Sequence, residues 1–209
     1  MLIINCNNEA SSYMRVPAWY KEVEYIESTG TQWIDTSYIP NVNTEISTKI
    51  SRGTQSTQWG VFFGVTGNDR SSDGILGRIY SSTSTSFNPW FCNANYDETT
   101  VTVTLDTFNT IVLKKNGGTV NGTAYTVTTN STPYQSSIVL FWGNNGGSKG
   151  RRCGKCKIKE FIITEWGTKK REFIPCYRVS DGVIGLWDRV GKTFYTNAGS
   201  GTFTKGSDV

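Results

Sequence analysis

The 209-residue chain contains no histidine. That removes the side chain most used as a general base near neutral pH and the commonest nitrogen ligand for zinc. A Ser-His-Asp or Cys-His mechanism is excluded by composition alone. Cysteine is sparse and odd in number: Cys6, Cys92, Cys153, Cys156 and Cys176. An odd count without a visible leader argues against a secreted disulfide framework. Reduced thiols are therefore expected, with Cys92 and Cys176 acting as small buried apolar residues. The opening MLIINC lacks the basic start and apolar length of a signal peptide. The expectation is a chain made and kept in a cytoplasm, or released by lysis as part of a particle. No apolar run nears the roughly 20 residues of a membrane helix, so membrane insertion is not expected. An amphipathic helical period, an internal repeat and a linker are missing too.

What is present favours strands. Glycine (22 residues) and aromatics (13%) are plentiful, and Ser and Thr are frequent. The length suits one domain with its own core. The net charge of +4 is mild, and no recognised nucleic-acid module accompanies it, so nucleic acid is not an expected partner. Glu45 to Ile50 alternates apolar and polar residues, residues 58–65 read as a central strand, and residues 100–105 alternate Thr with Val and Leu. Asn121-Gly122 is a strong hairpin signal, following a glycine turn at Asn116-Gly117-Gly118. Residues 138–142 are apolar throughout and should be covered on both faces. Residues 22–39 predict a strand pair turning at Ser28-Thr29-Gly30-Thr31, and residues 180–206 predict two further hairpins. Such strands recur at the spacing of a β-sandwich.

Residues 157–177, KIKEFIITEWGTKKREFIPCY, read as two long strands around a Trp166-Gly167-Thr168 turn. Ile158, Phe161, Ile163, Phe173 and Ile174 supply the apolar positions, and a phase slip near Lys159 and Glu160 calls for a β-bulge. Pro175 is expected to close the second strand. This passage resembles the last long strand of concanavalin A-like (laminin-G-like) jelly-roll domains in tail and surface proteins of phages that infect gut bacteria. Residues 22–41, 141–147 and 180–206 fit the same pattern. The resemblance implies an all-β fold: a single concanavalin A-like jelly-roll β-sandwich of two antiparallel sheets over residues 19–209, preceded by an arm at residues 1–18. It further implies a non-enzymatic virion surface protein, with a lectin-like domain that binds host or mucosal glycans. Its partners would be carbohydrate and other virion proteins, with homo-oligomers in the particle. The alternative is a purely structural capsid or tail decoration that assembles through the arm.

Four groups of residues carry candidate chemistry. Glu22, Glu24 and Glu27 approximate the E-x-D-x-x-E pattern of laminarinase-type glucanases, in which two carboxylates stand about 5–5.5 Å apart. On a regular strand Glu22 and Glu27 face opposite sides, so the plainer reading is a solvated acidic edge, and hydrolysis is the remote alternative. Among the aromatics, Trp33, Trp59 and Trp187 are expected in the core. Trp90 sits beside Asn88, Asn93 and Asn95, and Trp142 precedes Asn144 and Asn145. Sugar rings stack on exposed aromatics while amides bind their hydroxyls, so these seven residues form the candidate glycan site, with core packing as the competing role for both tryptophans. Asn68, Asp69 and Asp73 could supply three of the six to eight oxygens that calcium needs; otherwise the loop is an ordinary polar turn. No other cofactor is required. The stretch from Lys149 to Lys157 holds Cys153 and Cys156 among cations. A lone C-x-x-C without histidine is weak for zinc, and a solvated basic loop is the simpler reading. The same cations could meet an acidic partner or a polyanionic glycan.

Overall fold

The computed structural model describes residues 15–53, 60–67, 74–79, 84–93, 99–130, 132–133, 135–146, 148–152 and 155–209, with backbone alone at 148–152. Among the described residues there are eighteen strands and no helix, in two sheets. The first sheet runs in the order β10 (Thr123–Thr126), β9 (Gly117–Val120), β8 (Asn109–Lys114), β4 (Thr44–Arg52), β14 (Cys156–Glu165), β15 (Thr168–Arg178), β16 (Ile184–Asp188) and β17 (Thr193–Thr196). β1 (Tyr20–Glu22) adds to β15, β2 (Ile26–Ser28) adds to β14, and β18 (Thr204–Lys205) pairs with β2. The second sheet orders β13 (Ser148–Arg152), β12 (Trp142–Asn145), β5 (Gly60–Thr66), β11 (Val139–Leu140) and β3 (Ile34–Asp35). β6 (Ile75–Ile79) also pairs with β5, and β7 (Trp90–Phe91) with β6. The described pairings are antiparallel except one: β12 runs parallel to β5, because the chain reverses after Phe141, whose φ is 68°.

The two sheets close over one apolar core. Ile46, Ile50, Ile111, Leu113, Phe161 and Ile163 come from the first, and Phe63, Val65, Ile75, Ile79 and Leu140 from the second. Phe161 is fully buried and meets Phe63 across the gap, ring edge to face at 5.3 Å. The period-2 alternation of β4 and β14 puts these residues on one face and leaves Glu45, Lys49 and Lys159 towards solvent. A phase slip would have sent half of β14 outwards. The register on β4 shifts between Ile158 and Glu160, where the sequence demands a bulge, and Ile158 and Phe161 both stay inside.

The hairpin at residues 157–177 forms as read, and so do the Asn121-Gly122 hairpin and the β16–β17 hairpin. Of the strand expected at residues 58–65, residues 58 and 59 lie outside the described set and the rest lies in β5, buried at every position; residues 138–142 also lie where expected, each of them buried. Other expectations need correction. β15 continues through Pro175 to Arg178. The Pro175 carbonyl accepts from Val23 N at 3.0 Å, so its missing N–H faces the margin just past β1, and the ladder to β16 is undisturbed. Residues 22–39 do not form a hairpin: β2 joins the first sheet and β3 the second, and the turn between them carries the chain across. Residues 100–105 bury Val101 and Val103 and expose Thr102 and Thr104, yet they make one bridge, Thr102 to Ser86, and no ladder. After β17 the chain leaves its neighbour, and β18 pairs with β2 instead.

Cys92 and Cys176 are free and buried, as expected. Cys156 is not reduced but disulfide-bonded. It opens β14 immediately after Lys155, whose left-handed backbone (φ 54°) turns the chain sharply there. Of the arm, residues 1–14 lie outside the described set. Val16 packs with Ile174, Cys176 and Trp187 in a satellite cluster, and the Tyr20 ring lies tilted against Trp187 and Phe194, with centroids 5.1 Å and 4.6 Å away. Trp187 is thus buried, but beneath the arm. Trp59 lies outside the described residues.

One buried charge ties the strands together. Asp188 is fully buried at the end of β16, and one carboxylate oxygen accepts from Glu172 N and Val190 N, both at 3.0 Å. The other faces Arg171 Nε at 3.5 Å. Replacing Asp188 by Ala strands both amides and removes the counter-charge of Arg171, and should cost about 3 kcal/mol in urea unfolding, whereas Asp188→Asn, which keeps an acceptor, should cost less. Phe161→Ala should cost about 3–5 kcal/mol through the lost burial and the cavity between the sheets. A loss under about 1 kcal/mol would show that Phe161 is not packed as described.

Candidate functional site

The residues singled out from the sequence are mostly enclosed. Trp90 is 7% exposed and Trp142 5%. Trp90 packs with Val61 and Leu76, and the Arg78 guanidinium lies 5.0 Å over its ring. Trp142 stacks on the half-buried Trp33, with centroids 5.9 Å apart and 17° between planes. In this conformation neither ring offers an open stacking face. The amides beside them are also placed for structural work. Asn144 donates to Ser136 Oγ and to the Ser137 carbonyl, both at 2.9 Å, and Asn145 Oδ1 accepts from Thr66 Oγ1 at 3.3 Å. Asn88 and Asn93 are buried on either side of β7. Asn95, Asn68, Asp69, Asp73 and Cys153 lie outside the described residues. Among the described residues no group of three or more acidic or cysteine side chains could hold a metal ion.

The three glutamates near the start take separate partners. Glu22, in β1, is held by Arg15, whose Nε lies 2.9 Å from its carboxylate. Glu27, in β2, accepts from Thr204 Oγ1 at 3.3 Å, and Glu24 is exposed between the two strands.

An open aromatic does exist, at the tip of the long hairpin. Glu165 pairs with Thr168, leaving a two-residue loop of Trp166 and Gly167 with φ of 53° and 74°. Two positive φ values in such a loop make a type I′ turn, which matches the strand twist and favours Asn-Gly. Gly167 suits its place. Trp166 does not: a left-handed backbone costs a non-glycine residue about 1–2 kcal/mol. The residue is 77% exposed, so burial returns little for that strain. Neither folding force asks for tryptophan here; eight other described non-glycine residues share a positive φ, so it is the strain together with the exposure that makes Trp166 a candidate for function.

Trp166 overhangs a groove of about 230 Å³ whose walls include Asn43, Thr44, Glu45, Lys114 and Lys115. The walls come from the start of β4, the end of β8 and the end of β14. Antiparallel pairing of β4 with both neighbours brings these to one end of the sandwich. The rim is stiff. Asn41 Oδ1 accepts from Asn43 N at 2.8 Å, and Asn41 N donates to Thr44 Oγ1 at 2.9 Å. Behind the turn, Tyr38 donates its hydroxyl to Glu165 at 3.1 Å. Hydrogen bonds from Asn41 and Tyr38 hold the Glu165 carboxyl below its ordinary range, so it stays ionised beside Lys170 at 3.9 Å. Among the described residues nothing engages the Asn43 side-chain amide, so it is available to a ligand. An exposed indole beside amide, hydroxyl, ammonium and carboxylate groups can stack on an apolar ring face and bind the hydroxyls around it. The sequence did carry a signal for this site: Trp-Gly between two alternating runs puts the tryptophan at a hairpin tip, hence in solvent.

No family model and no curated protein matches this chain. Among solved structures, one from Bacteroides ovatus ATCC 8483, described as a candidate carbohydrate-binding protein, superposes with a TM-score of 0.55 at 11% sequence identity. The match covers 90% of this chain and 62% of that one, so the chain spans less than two thirds of that protein's length. At such low identity the likeness is one of fold: an all-β sandwich of the same general build.

Proposed function

We propose that this chain is a carbohydrate-binding module that acts by recognition rather than catalysis, with Trp166 as its stacking residue. The observation that carries the reading is a tryptophan 77% exposed, held in a strained turn over a groove lined by hydrogen-bonding side chains. The structural neighbour described as a candidate carbohydrate-binding protein supports it, as does the lectin-like character of the fold. Lectin sites are concave surfaces with a few fixed polar groups beside an apolar platform, and this groove has those parts. The resemblance of residues 157–177 to phage surface domains supplies the setting: a virion, with host or mucosal glycans as the target.

A second reading has its own observation. Trp19 and Val179 are 63% and 58% exposed, and they are joined by a hydrogen bond from Val179 N to the Trp19 carbonyl at 3.0 Å. This apolar pair sits where the arm meets the sheet, as a structural decoration protein docking through its arm would require.

Glycan-array binding of the purified chain separates the two. Trp166→Ala and Trp166→Asn should each lose about ten-fold or more in affinity, since aromatic anchors dominate recognition. Trp166→Asn should also leave the melting temperature unchanged or raise it, because asparagine suits a type I′ turn. Trp90→Ala, by contrast, should lower stability by emptying a buried site. Wild-type binding in both Trp166 variants would overturn the reading. Silence of a well-folded sample across the array would favour the decoration role.

A further inference from the structure

The groove under Trp166 does not stop at Lys115. A second groove of about 420 Å³ lies over the β8–β9–β10 hairpins, and the two share Glu45, Lys114 and Lys115. The floor of the second is bare backbone at Gly117 and Gly118. A Cβ on Gly118 would stand 1.9 Å from the Val112 carbonyl oxygen and 2.6 Å from the Tyr125 hydroxyl, so no side chain can rise there. The two grooves adjoin at Glu45, Lys114 and Lys115, and each is open to solvent rather than an enclosed pocket for one terminal group.

Its charge is uneven. Glu45 answers Lys114 at 3.8 Å. Among the described residues Lys115 has no carboxylate partner, which leaves an unmatched ammonium where the two grooves join. A neutral ligand would leave that charge unused.

We propose that the ligand is a linear acidic saccharide, a sugar chain bearing ring carboxylates, that stacks one residue on Trp166 and places a carboxylate at Lys115 as it runs on over Gly117 and Gly118. The proposal rests on the reading of Trp166 as the stacking residue. The shared wall sets the order of contacts: apolar ring face first, anion next, then an open run across glycine. Chain length matters because both grooves must be filled, and charge matters because one lysine is unmatched at their junction.

The test uses the full chain and calorimetric titration with sugars of defined length. The probes are hexasaccharides of galacturonate, of guluronate and of alternating glucuronate and N-acetylglucosamine, the matching disaccharides, and a neutral glucose hexasaccharide. At least one acidic hexasaccharide should bind about ten-fold or more tightly than its disaccharide and than the neutral hexamer. Lys115→Gln, an exposed turn substitution, should weaken that acidic ligand by about two- to five-fold, the range of a solvent-exposed ion pair. Raising the salt from about 50 to 500 mM should do the same to the parent and little to the variant. Trp166→Ala should lose every ligand. If the neutral hexamer binds as tightly as the acidic ones and Lys115→Gln changes nothing, the acidic assignment falls while the Trp166 site stands. If none of these sugars binds a folded sample, the acidic assignment falls, and if the glycan array is silent as well, the Trp166 reading falls with it.

Discussion

Phe161 against Phe63 is the contact on which the sandwich depends, because it is where β14 of one sheet meets β5 of the other. β14 is the hub of the first sheet: β4 lies on one side, β15 on the other, and β2 adds near its start. Its inward face must hold Ile158, Phe161 and Ile163 together, and the bulge between Ile158 and Glu160 makes that possible. β5 answers with a strand buried at every position. Everything that reaches the far end of the sheet, the Trp166 turn included, is positioned by strands anchored on this interface. A shift of β14 by one residue would move the turn about 3.3 Å along the strand direction and invert its faces.

The parts of the fold that could be read from the sequence are those with local causes. Alternation in residues 45–50 and 157–177 fixed which side chains face the core, and Asn121-Gly122 fixed a turn. What alternation cannot name is the partner strand. Residues 22–39 looked like a hairpin because two short alternating runs flank a Ser-Thr-Gly-Thr turn, yet the runs belong to different sheets. Residues 100–105 have the right faces and no ladder, since burial of Val101 and Val103 needs an extended chain over the core and not a hydrogen-bonded neighbour. β18 pairs with β2 across most of the chain's length, a choice made by packing that no local signal could express.

The same limit governs the site. Trp90 and Trp142 attracted attention because asparagines stand beside them, but neighbours in sequence do not report burial. Arg78, from the strand paired beside it, covers one ring, and Trp33, from a distant segment, stacks on the other. Trp166 obeys the opposite logic. Its exposure follows from a two-residue loop between long strands, which is local information, and only its polar surroundings require the tertiary structure. Asn43 and Lys115 are 123 and 51 residues away in sequence, brought in by the antiparallel pairing of β4 and β8.

The cost of Trp166 bears on what kind of protein this is. A turn optimised for stability would place asparagine before Gly167, and a surface optimised for solubility would not hold an indole out in solvent. Both preferences are overridden at one residue, while the turn's surroundings are stiffened by Asn41, Thr44, Tyr38 and Glu165. Stiffening the backbone and rim around an exposed aromatic makes sense if they receive a ligand, because surroundings already ordered lose less entropy when one binds. The strong interactions of the fold, Phe161 on Phe63 and the buried Asp188, lie elsewhere on β14, β15 and β16, so the tip can carry its strain without loosening the strands that hold it. Rigid strands that present an unfavourable turn residue at one end of a sandwich are the arrangement expected of a recognition surface, where the scaffold bears the stability and the loops bear the contact.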